Sequence, residues 1–130
     1  MIGIVLASHG QLVKELLKSS EMIMGIQDNI IAITLEPDED PFVLKDKIYE
    51  ACKEIDDSDG VIVLVDLMGG SPGNAAAYVA MDGYPVITGV NLPMLLELIA
   101  MRNLEIEEVV NHIMIKGKES INDLRNLLRR

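Results

Sequence analysis

The sequence predicts an α/β fold, a doubly wound and mostly parallel sheet with helices on both faces. Short apolar runs alternate along the chain with longer stretches of helical periodicity, the pattern that βαβ units leave. The run "VIVLV" (Val61 to Val65) is continuously apolar and β-branched, as a parallel strand covered on both faces must be. The composition agrees: 49% of residues are hydrophobic, yet there is one Phe and no Trp, so Ile, Val, Leu, Met and Ala must fill the core.

Taken in order, the first strand spans Ile2 to Ala7. Helix one runs from about Gln11 to Met24, with Leu12, Leu16, Leu17 and Ile23 at helical spacing and Gly25 as its stop. Strand two spans Asn29 to Leu35, and the acidic turn "EPDEDP" (Glu36 to Pro41) opens helix two, which runs to about Asp56. On that helix Leu44, Ile48, Cys52 and Ile55 share one face, so Cys52 reads as core filler. "DDSDG" (Asp56 to Gly60) is a solvated turn without the spacing of a calcium loop. Strand three is Val61 to Val65, helix three Pro72 to Met81 and strand four Pro85 to Val90. Helix four opens at about Pro93, and one or two amphipathic helices follow from Glu105 to the closing "LRNLLRR". With neither repeats nor a linker, residues 1–130 are expected to form a single domain, which buries roughly two thirds of its unfolded surface.

The formal net charge of -10 argues against nucleic acid, whose phosphates need a positive face, and suits a basic protein partner. One cysteine rules out an internal disulfide and fits a reducing compartment. No apolar run approaches the length of a membrane span, and the N-terminus enters a strand without a basic region or cleavage signal. A cytoplasmic location is expected.

Open parallel sheets form their sites beyond the carboxyl ends of the strands, where the strand order reverses. Three loops leave that edge with unusual residues: Ser8-His9-Gly10, Asp66 through Pro72, and Gly89 through Pro93. With the flavodoxin-like order 2-1-3-4, strands one and three are neighbours, and His9 and Asp66 face each other. A carboxylate accepting the Nδ1 proton fixes the tautomer and frees the Nε2 lone pair for work as base, metal ligand or nucleophile. In the loop "GGSP", Gly69 and Gly70 let backbone approach a ligand. Ser71 is placed to N-cap the next helix, with Pro72 at its first position, and the helix start would welcome an anion. Together these point to a phosphoryl group held on histidine. A metal is the weaker reading, because the only other histidine, His112, belongs to a late helix surface and no Cys or His cluster joins it. Without G-x-x-x-x-G-K-[ST] or G-x-G-x-x-G loops, no direct transfer from ATP is expected.

"IGIVLASHGQLVKELLKSSEMIMG", "VIVLVDLMGGSPGNAA" and "VITGVNLPMLLE" together resemble the IIA component of the mannose/fructose-type sugar phosphotransferase system, nearly end to end. The resemblance implies a homodimer whose sheet carries an added antiparallel edge strand. It implies that His9 accepts a phosphoryl group on Nε2 from the phosphocarrier HPr, with Asp66 orienting the ring and Ser71 beside the phosphoryl group. That group passes to a IIB component, which phosphorylates sugar as membrane IIC and IID subunits import it, so peripheral association with the permease is implied as well. Many members continue into a fused IIB domain; this chain ends at Arg130, so a separate IIB polypeptide is expected. No cofactor is implied. Two other readings stay open: a dihydroxyacetone kinase phosphotransferase subunit, and a regulatory module that kept the fold without transfer. The identity of the sugar is not encoded, because a IIA component touches none.

Overall fold

The computed structural model describes residues 1–129, with elements in the order β1 (Gly3–His9), α1 (Leu12–Met24), β2 (Ile30–Leu35), α2 (Pro41–Ile55), β3 (Val61–Val65), α3 (Gly70–Met81), β4 (Val86–Thr88), α4 (Leu92–Ala100), α5 (Ile106–Glu119) and α6 (Leu124–Leu128). The sheet order is β2-β1-β3-β4 and every pairing is parallel, the expected doubly wound order. All four described strands are parallel, and residues 124–128, near the chain end, are helical. The antiparallel edge strand implied by the resemblance is therefore not formed among the described residues. Arg130, the last residue of "LRNLLRR", lies outside them.

Alternation along the strands builds two cores. Ile2, Ile4 and Leu6 point to one face with Ile62 and Leu64, against Val13 of α1, Leu95 and Leu98 of α4, and Val109 and Ile113 of α5. Val5 and Ala7 point to the other face with Val61, Val63 and Val65, against Leu44, Ile48 and Cys52 of α2 and Ala75, Ala76 and Val79 of α3. Each fully buried Ile, Leu or Val contributes about 1.5–3 kcal/mol of transfer free energy, so both faces are committed to helices. Cys52 is fully buried among these, and burial pushes its thiol pKa up to about 11.

Helix starts are set by local chemistry. The Asp40 carboxylate accepts from the Phe42 N–H at 2.9 Å ahead of Pro41, and Glu105 accepts from both Glu107 and Glu108 N–H at 3.1 Å. Asn91 accepts from Met94 N–H at 3.0 Å while its amide donates to the Gly117 carbonyl, which binds α4 to α5. Three boundaries differ from the sequence reading by two residues. β1 continues through Ser8 and His9 because both pair in register with Thr34 and Leu35 of β2. β4 ends at Thr88 because Gly89 turns to a φ of +79°. α3 begins at Gly70, with Gly69 in the N-cap position and no side-chain cap, so Ser71 lies within the first turn and does not cap the helix.

One residue with no sequence signal of its own ties the opposite end of the sheet. Arg102 is only 2% exposed, and its guanidinium donates to the carbonyls of Ile2 (2.8 Å), Asp28 (2.7 Å) and Asn29 (3.0 Å). The planar fork joins the chain entering β1 to the turn entering β2.

Candidate functional site

The carboxyl ends of β1 and β3 lie side by side, and each delivers one polar group to the gap between them. β1 ends in His9, and β3 is followed at once by Asp66. The two residues are 57 positions apart in sequence, yet Asp66 Oδ2 lies 2.7 Å from His9 Nδ1 and accepts the His9 backbone N–H at 3.0 Å. Asp66 Oδ1 accepts the Leu67 N–H at 2.9 Å. The Asp66 side chain is 5% exposed and the His9 side chain 50% exposed, so the carboxylate is a buried brace and the ring is presented to solvent. Burial pushes the Asp66 carboxyl pKa up, but the hydrogen bonds from His9 and Leu67 outweigh it and hold the group below its ordinary value. Asp66 is thus an anion suited to accept the Nδ1 proton, an arrangement that in the neutral ring leaves the lone pair on Nε2.

Two contacts hold the short β1–α1 turn. The buried Ser8 hydroxyl oxygen accepts the Val13 N–H at 3.1 Å, supplying the first turn of α1 with the acceptor that Gln11, in the N-cap position, does not provide. Gln11 in turn donates from its amide to Glu36 in the β2–α2 loop. The "SHG" motif signalled His9 but not Ser8, although serine just before a helix is itself a capping signal.

On the far side of the ring lies the start of α3. A Cβ built on Gly70 would stand 3.0 Å from His9 Cε1 and 3.3 Å from Nε2, so the imidazole occupies the space a side chain at this position would need. The residue has a φ of +67° and Gly69 before it +83°, which turns the chain sharply from β3 into the helix. Ser71 joins His9, Gly10, Glu36, Glu39 and Pro41 in lining a cleft of about 450 Å³. Its walls differ in character. The α3 side presents the positive end of a helix of 12 residues, whereas the α2 side carries Glu36 and Glu39. Glu39 accepts the Glu36 N–H and pairs with Lys47 at 3.0 Å; these contacts hold its carboxyl pKa down.

The structure therefore brings His9, Asp66, Gly70 and Ser71 to one edge of the sheet. His112 lies elsewhere, half exposed on α5, with Nε2 3.1 Å from Glu97 Oε1 of α4. Among the described residues, no three His, Cys, Asp or Glu side chains converge as a metal site would require. No helix among them is long and apolar enough to cross a membrane.

Fold and site together define an α/β domain with a carboxylate-braced histidine at its topological switch point. Similarity to known proteins says which such domain it is. The family model described as "PTS system fructose IIA component" matches residues 3–114, and the chain belongs to this mannose/fructose-type EIIA family of the sugar phosphotransferase system. It is 38% identical over 128 residues to the mannose-specific EIIAB component of Escherichia coli (strain K12), covering 95% of this chain and 40% of that protein. The chain thus spans less than half the length of that relative. It is 36% identical over 123 residues to the fructose-specific EIIA component of Bacillus subtilis (strain 168), covering 92% of this chain and 84% of the relative. The crystal structure of a phosphotransferase system component EIIA from Streptococcus agalactiae superimposes with a TM-score of 0.89 at 25% identity, covering 97% of this chain and 99% of that one.

Proposed function

We propose that this domain is a phosphoryl carrier of a sugar phosphotransferase system, and that His9 carries the group. In this reading His9 Nε2 attacks the phosphorus of phosphorylated HPr. The donor's N–P bond breaks as the new N–P bond forms, and the ring keeps its Nδ1 proton. The cationic phosphoimidazole that results is balanced by Asp66. A IIB component then takes the phosphoryl group by the reverse displacement and passes it to sugar during uptake through the membrane IIC and IID subunits. The activity is that of a phosphotransferase, the location cytoplasmic, and no cofactor takes part.

The observation that carries this reading is the 2.7 Å contact of Asp66 Oδ2 with Nδ1, which leaves Nε2 as the nucleophilic nitrogen of a half-exposed ring. Support also comes from the start of α3, where the Gly70 and Ser71 N–H groups and the Ser71 hydroxyl suit an anion beside Nε2. We take the active form to be a homodimer. In its favour, the outer edge of β4 has no pairing partner among the described residues, and Ile121, Leu124, Leu127 and Leu128 near the chain end are largely exposed.

The test is intact mass spectrometry after incubation with phosphoenolpyruvate, enzyme I and HPr. The expected result is one acid-labile phosphoryl group on the wild type and none on a folded His9→Ala variant. A wild type that gains nothing would leave a regulatory module as the better account.

A further inference from the structure

The brace on His9 is one-sided. Asp66 holds the Nδ1 edge and the backbone N–H, which restrains rotation about χ2 from that edge alone. Among the described residues no side chain is hydrogen-bonded to Nε2, so the Cε1–Nε2 edge is limited by packing. What faces that edge is Gly70: a Cβ there would come within 3.0 Å of Cε1 and 3.3 Å of Nε2. The first distance is at the limit real Cβ atoms reach, and the obstacle would be a ring already tied down on its other edge.

We infer that Gly70 is a positioning residue, the seat against which the His9 ring is held so that Nε2 stands at the mouth of the helix α3 turn. This goes beyond a glycine kept for its backbone angle. Gly25, Gly69 and Gly83 also have positive φ, at +85°, +83° and +103°, yet a Cβ on any of them meets nothing within 4 Å. Only Gly70 pairs the angle with contact to the ring. A side chain there would force the ring off its seat, stretch the Asp66–Nδ1 bond, and occupy space next to Nε2. The transfer part of this inference rests on the carrier reading of His9; the contact part does not.

The contact is tested first by thermal unfolding of Gly70→Ala, Gly25→Ala, His9→Ala and the Gly70→Ala/His9→Ala pair. Gly25→Ala reports backbone strain alone. Gly70→Ala is expected to lower the midpoint, and part of that loss is expected to vanish once the ring is removed in the double variant. Should Gly70→Ala fail to fold, the double variant is expected to fold. An equal penalty with and without the ring, or a double variant that also fails to fold, overturns the inference. Nitrogen-15 NMR of the His9 ring supplies a second readout: Nδ1 should lose its Asp66-bound signature in Gly70→Ala and keep it in Gly25→Ala. Phosphoryl acceptance from HPr is expected to fall about 100-fold in Gly70→Ala, as a displacement of about 1 Å at a reacting atom costs. A normal rate with a displaced ring overturns the positioning role. If the wild type accepts no phosphoryl group, the carrier reading fails, while unfolding and NMR still decide the contact.

Discussion

Replacing Asp66 by asparagine preserves the shape of the brace and removes its charge and one of its acceptors. The carboxylate accepts from three donors: the His9 N–H and Nδ1–H at Oδ2, and the Leu67 N–H at Oδ1. An asparagine has one acceptor oxygen and an NH₂ that can only donate. With its oxygen toward Leu67, the NH₂ faces His9, and the ring can accept only by moving its proton to Nε2, where the reacting lone pair is lost. With its oxygen toward His9, the NH₂ opposes the Leu67 N–H, and the charge that balances a phosphorylated ring is still missing. Either way at least one charge-assisted hydrogen bond disappears, a loss of about 1.5–3 kcal/mol. Expressed in the transition state, that is a slowing of about 10- to 150-fold. Rapid-quench transfer from radiolabelled phospho-HPr measures it, with circular dichroism to establish that the variant is folded. A variant that transfers at the wild-type rate would refute the reasoning, because the brace would then contribute nothing to the reacting state. The same substitution has a second signature in acid. The Asp66 carboxyl titrates below its ordinary 3.8 in the folded protein, so its contribution to stability is present above about pH 4 and is lost as pH falls through the folded value. Asp66→Asn should therefore flatten the acid limb of the stability curve. An acid limb as steep as that of the wild type would count against it.

Two further predictions follow from the fold. Arg102→Met should lower the unfolding free energy by about 3–5 kcal/mol in urea titrations, because three carbonyls lose a buried charged donor. Phosphoryl acceptance per folded molecule should be unchanged, since Arg102 binds the opposite end of β1 from His9, and a stability loss under about 1 kcal/mol would show that water replaces the guanidinium. Cys52 is fully buried, with its thiol pKa near 11, so it should resist a disulfide reagent at pH 8 and react fully once guanidinium chloride is added. Rapid labelling of the native protein would mean that α2 opens locally.

Much of this protein is decided by local pattern. The period-two and period-3.6 repeats place strands and helices because each reports which face of one element is buried. "VIVLV" is apolar throughout because β3 is covered on both faces, by the Ile62 and Leu64 core and by the Val61, Val63 and Val65 core. Chain order and the right-handed crossover then bring β1 beside β3, which is why His9 and Asp66 could be paired from sequence across 57 positions. Other features were legible only in three dimensions. Nothing near Arg102 marks it as buried, because its partners are main-chain carbonyls about 74 and 100 residues away, and every residue type supplies a carbonyl. Ser71 carries every local sign of a cap, but two successive glycines at positive φ start the helix two residues earlier and turn that signal aside. Gly70 reads from its neighbours as a glycine that lets backbone approach a ligand. That it also bears the His9 ring is a matter of a few tenths of an ångström between β1 and α3, a distance set by how the whole sheet and its helices close-pack.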